Sequence, residues 1–130
     1  MRHWLLYLWN LYPPFWGAGI RITKIAPDLS AVDTKLTLHW WNRNYIGTMF
    51  GGSIYSMCDP FHMVILIEQL GPGYIVRDKG SEVQFLKKGE GTVRAHFSVS
   101  PKVIAEIWND RAMPIWATSC GLAGVISTPL

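Results

Sequence analysis

Charge is what this sequence has least of. Of its 130 residues, 16% are Asp, Glu, Lys or Arg, well below the roughly 25% of an average globular domain, while 49% are hydrophobic. A surface so poor in charge is expected to be partly covered by a partner, and a two-fold homodimer is the commonest such arrangement. The basic residues form no run: Arg21, Lys24, Lys35, Arg43, Arg77, Lys79, Lys87, Lys88 and Arg94 are scattered along the chain, for a net charge of +3. That pattern excludes a nucleic-acid-binding footprint. It leaves solvated surface charge or, for a few residues, contact with the phosphates of an anionic cofactor.

Cysteine is also scarce. Cys58 and Cys120 have neither CxxC spacing nor the density of a disulfide scaffold, which fits a reducing cytoplasm. A membrane span is missing too. Trp4 to Ile20 carries no Lys, Arg, Asp or Glu, but Pro13-Pro14 interrupts it, and Trp4 to Tyr12 is far shorter than the roughly 20 apolar residues a spanning helix needs. It has no small-residue cleavage site of the secretory kind. Residues 1–13 are expected to hold a short aromatic helix lying against the domain, in preference to the interfacial anchor that Trp/Tyr-rich helices can also form.

What is there fits one domain covering residues 1–130, since the chain is too short for two independent cores. Ala31 to Trp41 alternates, with Val32, Thr34, Leu36, Leu38 and Trp40 on one face and Asp33, Lys35, Thr37 and His39 on the other, which predicts a half-buried strand. Gly19 to Ile25 is a second strand, joined to it by Ala26-Pro27-Asp28, whose Pro and Asp favour a turn. From Gly51 to Leu70 the spacing becomes helical through Ile54, Met57, Phe61, Ile65 and Leu66, and Gly71-Pro72-Gly73 ends it. Alternation returns at Glu82 to Leu86 and at Thr92 to Val99, around Gly89-Glu90-Gly91, which predicts a second hairpin. A short helix is expected near Val103 to Asn109, and residues 111–130 form an atypical tail without alternation. One long helix between two hairpins predicts an α+β domain in which an antiparallel sheet wraps a central helix.

Chemistry concentrates in the helix. Phe50-Gly51-Gly52 puts bare backbone amides where the helix's partial positive charge gathers, a place suited to a developing oxyanion; the plainer role of two glycines there is to permit a tight turn into the helix. Asp59 stands alone among carboxylates between Asp33 and Glu68. Burial there would raise its pKa and suit it to act as a base. Equally, Asp59-Pro60 reads as an N-cap with proline at the first helical position. Asp59 follows Gly51 by eight positions, roughly 12 Å along a helix, so the two can meet at one substrate atom only if a second copy runs its helix antiparallel. Cys58 and His62, four apart, could mimic a thiolate–imidazole pair, though such residues more often pack in a core. No HExxH or CxxC spacing supports a metal.

Asn44, Gly47-Thr48, Phe50-Gly51-Gly52-Ser53, Asp59 and Asp78-Lys79-Gly80-Ser81 together resemble the hotdog-fold thioesterases. They are most similar to a branch catalogued as a domain of unknown function, with an Asn-Arg-Asn, Phe-Gly-Gly-Ser and Asp-Pro-Phe signature. The resemblance spans Pro14 to Val99. It implies a hotdog fold acting as a dimer or tetramer, with the site between protomers and an acyl thioester as substrate. It also implies roles: the Gly51 amide and Asn44 polarise the thioester carbonyl, Asp59 of the partner chain activates water, and Ser81 holds that water. Phe50, Gly52 and Lys79 are expected against the substrate, and no cofactor is implied beyond the coenzyme A or carrier moiety of the substrate itself. The chain departs from better-characterised relatives in two ways. Phe50 replaces a histidine before the glycines, and residues 111–130 lack the pattern of two closing strands. The other function consistent with these residues is a catalytically silent hotdog domain that binds an acyl chain or serves as an oligomeric scaffold.

Overall fold

Gly19 is the first fixed point of the fold, because its backbone is left-handed at φ 81° and a Cβ built there would lie 2.5 Å from Asn42 Nδ2 and 2.7 Å from the Thr37 carbonyl oxygen. Only glycine suits both constraints. It separates helix α1, Pro13–Ala18, from strand β1, Ile20–Ile25. The structure is a computed structural model that describes residues 3–77, 81–109 and 126–127.

Ahead of α1 runs a 3-10 helix, His3–Leu11, and Pro13 then occupies the first turn of α1, where its missing N–H costs nothing. Successive 3-10 residues three apart lie above one another, so Leu6 and Trp9 share a row. That row faces inward: Leu6 is buried and Trp9 packs partly buried against the core, its ring 5.9 Å from Phe15 and 6.5 Å from Phe61. Asn10 makes the second attachment. Its Oδ1 accepts from the Ile22 amide at 2.7 Å and its Nδ2 donates to the Ile22 carbonyl at 3.2 Å, so a side-chain amide imitates a neighbouring strand and closes the outer edge of β1.

Strand β1 pairs antiparallel with β2, Ala31–Thr37, with a bulge between Ile22 and Lys24. The turn between them has Leu29 at φ 57°, and Asp28 Oδ1 accepts hydrogen bonds from the Ser30 amide and hydroxyl, the Asx-type support expected of that residue. Strand β3, Thr92–Ser98, pairs along the whole of β2, and the two-residue β4, Ile126–Ser127, pairs with Val93 and Arg94. The sheet order is β1-β2-β3-β4.

The inward faces alternate as the sequence implies, with Val32, Thr34 and Leu36 on β2 and Val93, Ala95 and Phe97 on β3 all buried. Against them lie α2, Gly51–Cys58, and α3, Pro60–Leu70, whose Met57, Phe61, Ile65 and Leu66 complete the core. Phe61 and Phe97 stack with centroids 4.9 Å apart. Helix α4, Pro101–Asn109, buries Ile104 and Ile107. The result is a mixed α/β fold with helices on one face of an antiparallel sheet.

Three expectations need correction. The strand expected to reach Trp41 ends at Thr37, because the Asn42 side chain turns the backbone there by accepting from the His39 amide and donating to the Thr37 carbonyl; Trp40 is consequently 79% exposed. The long helix is two helices, since Pro60 has no amide proton to continue the hydrogen-bond ladder. Glu82 to Leu86 forms no strand and therefore no second hairpin. Alternation signals an extended chain, but a strand also needs a partner, and both sides of β3 are already taken by β2 and β4. The Gly89–Gly91 segment instead ties down the loop before α2, with the Met49 amide donating to Gly89 O and the Leu38 amide to Gly91 O. Most of the tail at 111–130, including Cys120, lies outside the described residues.

Gly19→Ala is expected to lower the unfolding free energy by about 2–4 kcal/mol, from left-handed strain and the collision with Asn42 combined. Thermal melting checks this, and an unchanged melting temperature would show that the junction relaxes freely.

Candidate functional site

The start of α2 is assembled by its preceding loop. Asn42, 5% exposed, donates through Nδ2 to the carbonyls of Ala18 and Thr37 and accepts at Oδ1 from the His39 amide. Its own carbonyl accepts from the Phe50 amide at 3.1 Å. One buried residue thus joins the end of α1, the end of β2 and the first residue before α2.

Asn44 organises the next five residues. Its Oδ1 accepts from the amides of Ile46 and Thr48, and its Nδ2 donates to Thr48 Oγ1 and to the Met49 carbonyl. These four bonds use both donors and both acceptor positions of the amide, with Gly47 supplying the left-handed turn at φ 85°. The Asn44 amide is therefore aimed into its own loop.

Helix α2 has Phe50 as N-cap with no side-chain cap hydrogen bond; the Phe50 amide donates to Asn42 O and that of Ser53 to Phe50 O at 2.9 Å, which leaves the amides of Gly51 and Gly52 as donors without an intrahelical partner. The glycines there lie close under aromatic rings. A Cβ on Gly52 would lie 2.3 Å from the Phe50 ring, and one on Gly51 would lie 3.2 Å from the ring of Phe85. Two phenylalanines thus roof the helix start, both more than half exposed to solvent.

Further along, Gly51, Tyr55 and Asp59 recur every four residues, each step turning about 40° around the axis, so they share one face. Tyr55 and Asp59 are exposed, and the Tyr55 hydroxyl hydrogen-bonds to Ser81 Oγ. That bond and the Phe85 contact strap residues 81–86 across this face. The structure thus brings Phe50, Gly51, Gly52, Phe85, Tyr55 and Ser81 to one end of α2. Asp59, two turns on, does not converge with them in one chain. Lys79, with Asp78 and Gly80, lies outside the described residues.

Asp59 is not the buried carboxylate that its apolar surroundings in sequence suggest. Its neighbours in the chain point into the core, while Asp59 itself takes the outward position of the helix. Nor does it make a side-chain cap bond to α3; its backbone is helical, at φ −62° and ψ −55°, and its amide continues the ladder to Tyr55 O. Cys58 and His62 have a different environment. Burial pushes the Cys58 thiol above its ordinary pKa, the opposite of what a thiolate nucleophile needs, and the His62 ring meets Phe97 edge-on at 5.4 Å. Among the described residues, no group of three His, Cys, Asp or Glu side chains could hold a metal ion.

Asn42, Tyr55 and Phe85 are the residues that spacing alone did not single out. The four-residue step between Gly51 and Asp59 does mark Tyr55, but nothing local in the sequence marks Phe85, which arrives from 34 residues away in the chain.

A profile of a family described as a domain of unknown function, DUF4442, matches residues 3–122. A crystal structure from Pseudomonas aeruginosa, of a protein of unknown function described as a probable thioesterase, aligns with a TM-score of 0.61. The alignment covers 80% of this chain and 69% of that one at 16% identity, which makes the likeness one of fold. No curated protein matches the chain significantly.

If Asn44 holds the loop as its bonds indicate, Asn44→Ala strands the Thr48 hydroxyl and several backbone groups and should lower stability by about 1–3 kcal/mol. Denaturant unfolding measures it; a wild-type midpoint would show that water replaces the amide without loss.

Proposed function

The chain belongs to the DUF4442 family, and from that membership and the geometry at α2 we propose that it is a hotdog-fold acyl-thioester hydrolase working as a homodimer or higher homo-oligomer. The observation that carries the reading is the state of Asp59: a carboxylate on an exposed helix face, making no cap bond, on the same face as the uncapped amide of Gly51. A capping role would have tied it to the backbone.

The probable-thioesterase description of the Pseudomonas aeruginosa protein, which shares the fold, supports the reaction class. The need for a second copy follows from distance, since eight helical residues put Gly51 and Asp59 roughly 12 Å apart. An antiparallel partner helix brings Asp59 of one protomer to Gly51 of the other. The strap supports the same arrangement: Phe85 and Leu86 are 59% and 87% exposed, and residues 82–86 pair with no strand in the described chain, so a second copy would both cover the side chains and satisfy the backbone.

In this reading water attacks the thioester carbonyl carbon while its proton passes to Asp59 of the second copy. The Gly51 amide stabilises the tetrahedral oxyanion. Collapse breaks the carbon–sulfur bond, and the departing thiolate of coenzyme A or an acyl carrier takes the proton back from Asp59. Ser81, held by Tyr55, orients the water, and Phe50, Gly52 and Lys79 meet the substrate. Asn44 contributes by fixing the loop that delivers Gly51 rather than by touching the carbonyl. One observation favours the silent, acyl-binding reading: the ring of Phe85 stands on Gly51, where the oxyanion would sit. A hydrolysis panel of short, long and aromatic acyl thioesters separates the two.

Two outcomes are expected. Sedimentation at micromolar concentration should give a dimer or larger species, and a stable folded monomer would remove the shared site. Asp59→Asn should reduce hydrolysis on the order of a hundredfold or more, because the amide cannot take the proton, while leaving the melting temperature unchanged because no cap bond is lost. Wild-type turnover by this variant would end the catalytic role.

A further inference from the structure

We propose that the outward face of the N-terminal 3-10 helix and α1 is a docking surface for an anionic phospholipid membrane, entered no deeper than the headgroup layer. Three rows run along a 3-10 helix. One of them, carrying Leu6 and Trp9, is spent on the core, and the other two point outward apart from Asn10, which holds β1. Trp4, Tyr7, Leu8 and Leu11 are exposed along those rows, and Tyr12 and Trp16 continue the surface onto α1, with Leu11 76% exposed. Six exposed large apolar side chains between Trp4 and Trp16 are more than a water-facing surface ordinarily carries.

The chemistry of the patch selects its occupant. Four of the six are Trp or Tyr, the residues whose rings combine an apolar body with a polar edge and concentrate at the boundary between headgroups and hydrocarbon. The two leucines supply the apolar depth that drives a helix lying in the plane of the interface. Charge points the same way: the first 27 residues contain Arg2, Arg21 and Lys24 and no Asp or Glu. Arg21 is fastened beside the helix by a hydrogen bond from its guanidinium to the Asn10 carbonyl, and Lys24 is exposed on the edge strand β1, opposite Asp33 of β2, whose carboxylate is engaged by His96. Arg21 and Lys24 beside these apolar side chains complement the negative surface of a membrane containing acidic lipids. Two copies meeting across this face would instead bring like charges together. The helix is also held to the domain at both levels a shallow anchor requires, by Leu6 and Trp9 in the core and by Asn10 on the edge of β1. Among the described residues no helix is long and apolar enough to cross a membrane, so attachment by this face is peripheral.

The test uses the full chain in flotation with two kinds of vesicle, phosphatidylcholine alone and phosphatidylcholine with about one fifth phosphatidylserine, an acidic content that gives a physiological surface potential. The wild type should float with the acidic vesicles, show a blue shift of tryptophan emission when it does, and be released by high salt. Leu8→Ser/Leu11→Ser, which removes exposed side chains alone, should weaken binding at least about tenfold with no change in melting temperature or sedimentation. Lys24→Glu should weaken it several-fold on acidic vesicles. Failure of the wild type to bind acidic vesicles, equal binding to both vesicle types, or undiminished binding by the double variant would each overturn the proposal. So would a smaller oligomer in the double variant, since that result assigns the face to a second copy. None of these readouts depends on Asp59 or on hydrolysis.

Discussion

The position of helix α2 depends on the amide of Asn42. Burying an asparagine is costly unless every polar atom finds a partner, and here the side chain meets three backbone groups, at the end of α1 and the end of β2, while its own carbonyl holds Phe50. Each of those segments would otherwise have ends with unpaired amides or carbonyls. The amide therefore sets where β2 stops, how α1 turns into β1 and where α2 starts, and Gly19 is the residue that leaves room for it. Because side-chain amides have fixed geometry, this junction has little freedom to shift, and the first-turn amides of α2 inherit that rigidity. A stabiliser of developing charge acts best when its dipoles are already in place.

Asn44 extends the same device by one turn. Its saturated hydrogen bonding makes the 44–49 loop a preformed unit that hands over to Phe50, and the Gly89 carbonyl locks it from the other side through Met49. A Cβ on Gly89 would run into the Met49 side chain at 2.9 Å, so the close approach of the two loops requires glycine there as well. The helix start is thus fixed from three directions, whereas Asp59 at the far end of α2 stands on an exposed face where Pro60 interrupts the ladder.

The elements with a strong local signal were legible in the sequence. Alternation placed the inward residues of β2 and β3, and the helical spacing placed Met57, Phe61, Ile65 and Leu66 in the core, although the one long helix expected there is divided at Pro60. Misreadings arose where the outcome depends on something distant. Leu38 to Trp40 continues the alternation of β2, yet the Asn42 side chain diverts the chain. Glu82 to Leu86 has the pattern of a strand but pairs with no strand among the described residues. At the site, Gly51, Asp59 and Asn44 could be named from spacing and resemblance, but the consumption of the Asn44 amide by its own loop and the placing of Phe85 on Gly51 are tertiary facts that no short window of sequence contains.

These misreadings share a physical cause that bears on function. An extended segment without a strand partner, exposed Phe85 and Leu86, a carboxylate standing outward two turns from the amide it would work with, and a charged fraction of 16% are each costly in an isolated chain and each relieved by a neighbour. A second copy across the strap would place a strand beside residues 82–86, cover the apolar side chains, and lower the dielectric around Asp59, which is the condition under which a carboxylate becomes a useful base. The same step would have to move Phe85 if its ring, beside Gly51 in one chain, narrows the approach of a substrate to the start of α2. Assembly and the opening of the site would in that case be one event, and the exposed aromatic side chains at the amino terminus, being on different elements from the strap, would stay free to meet another surface.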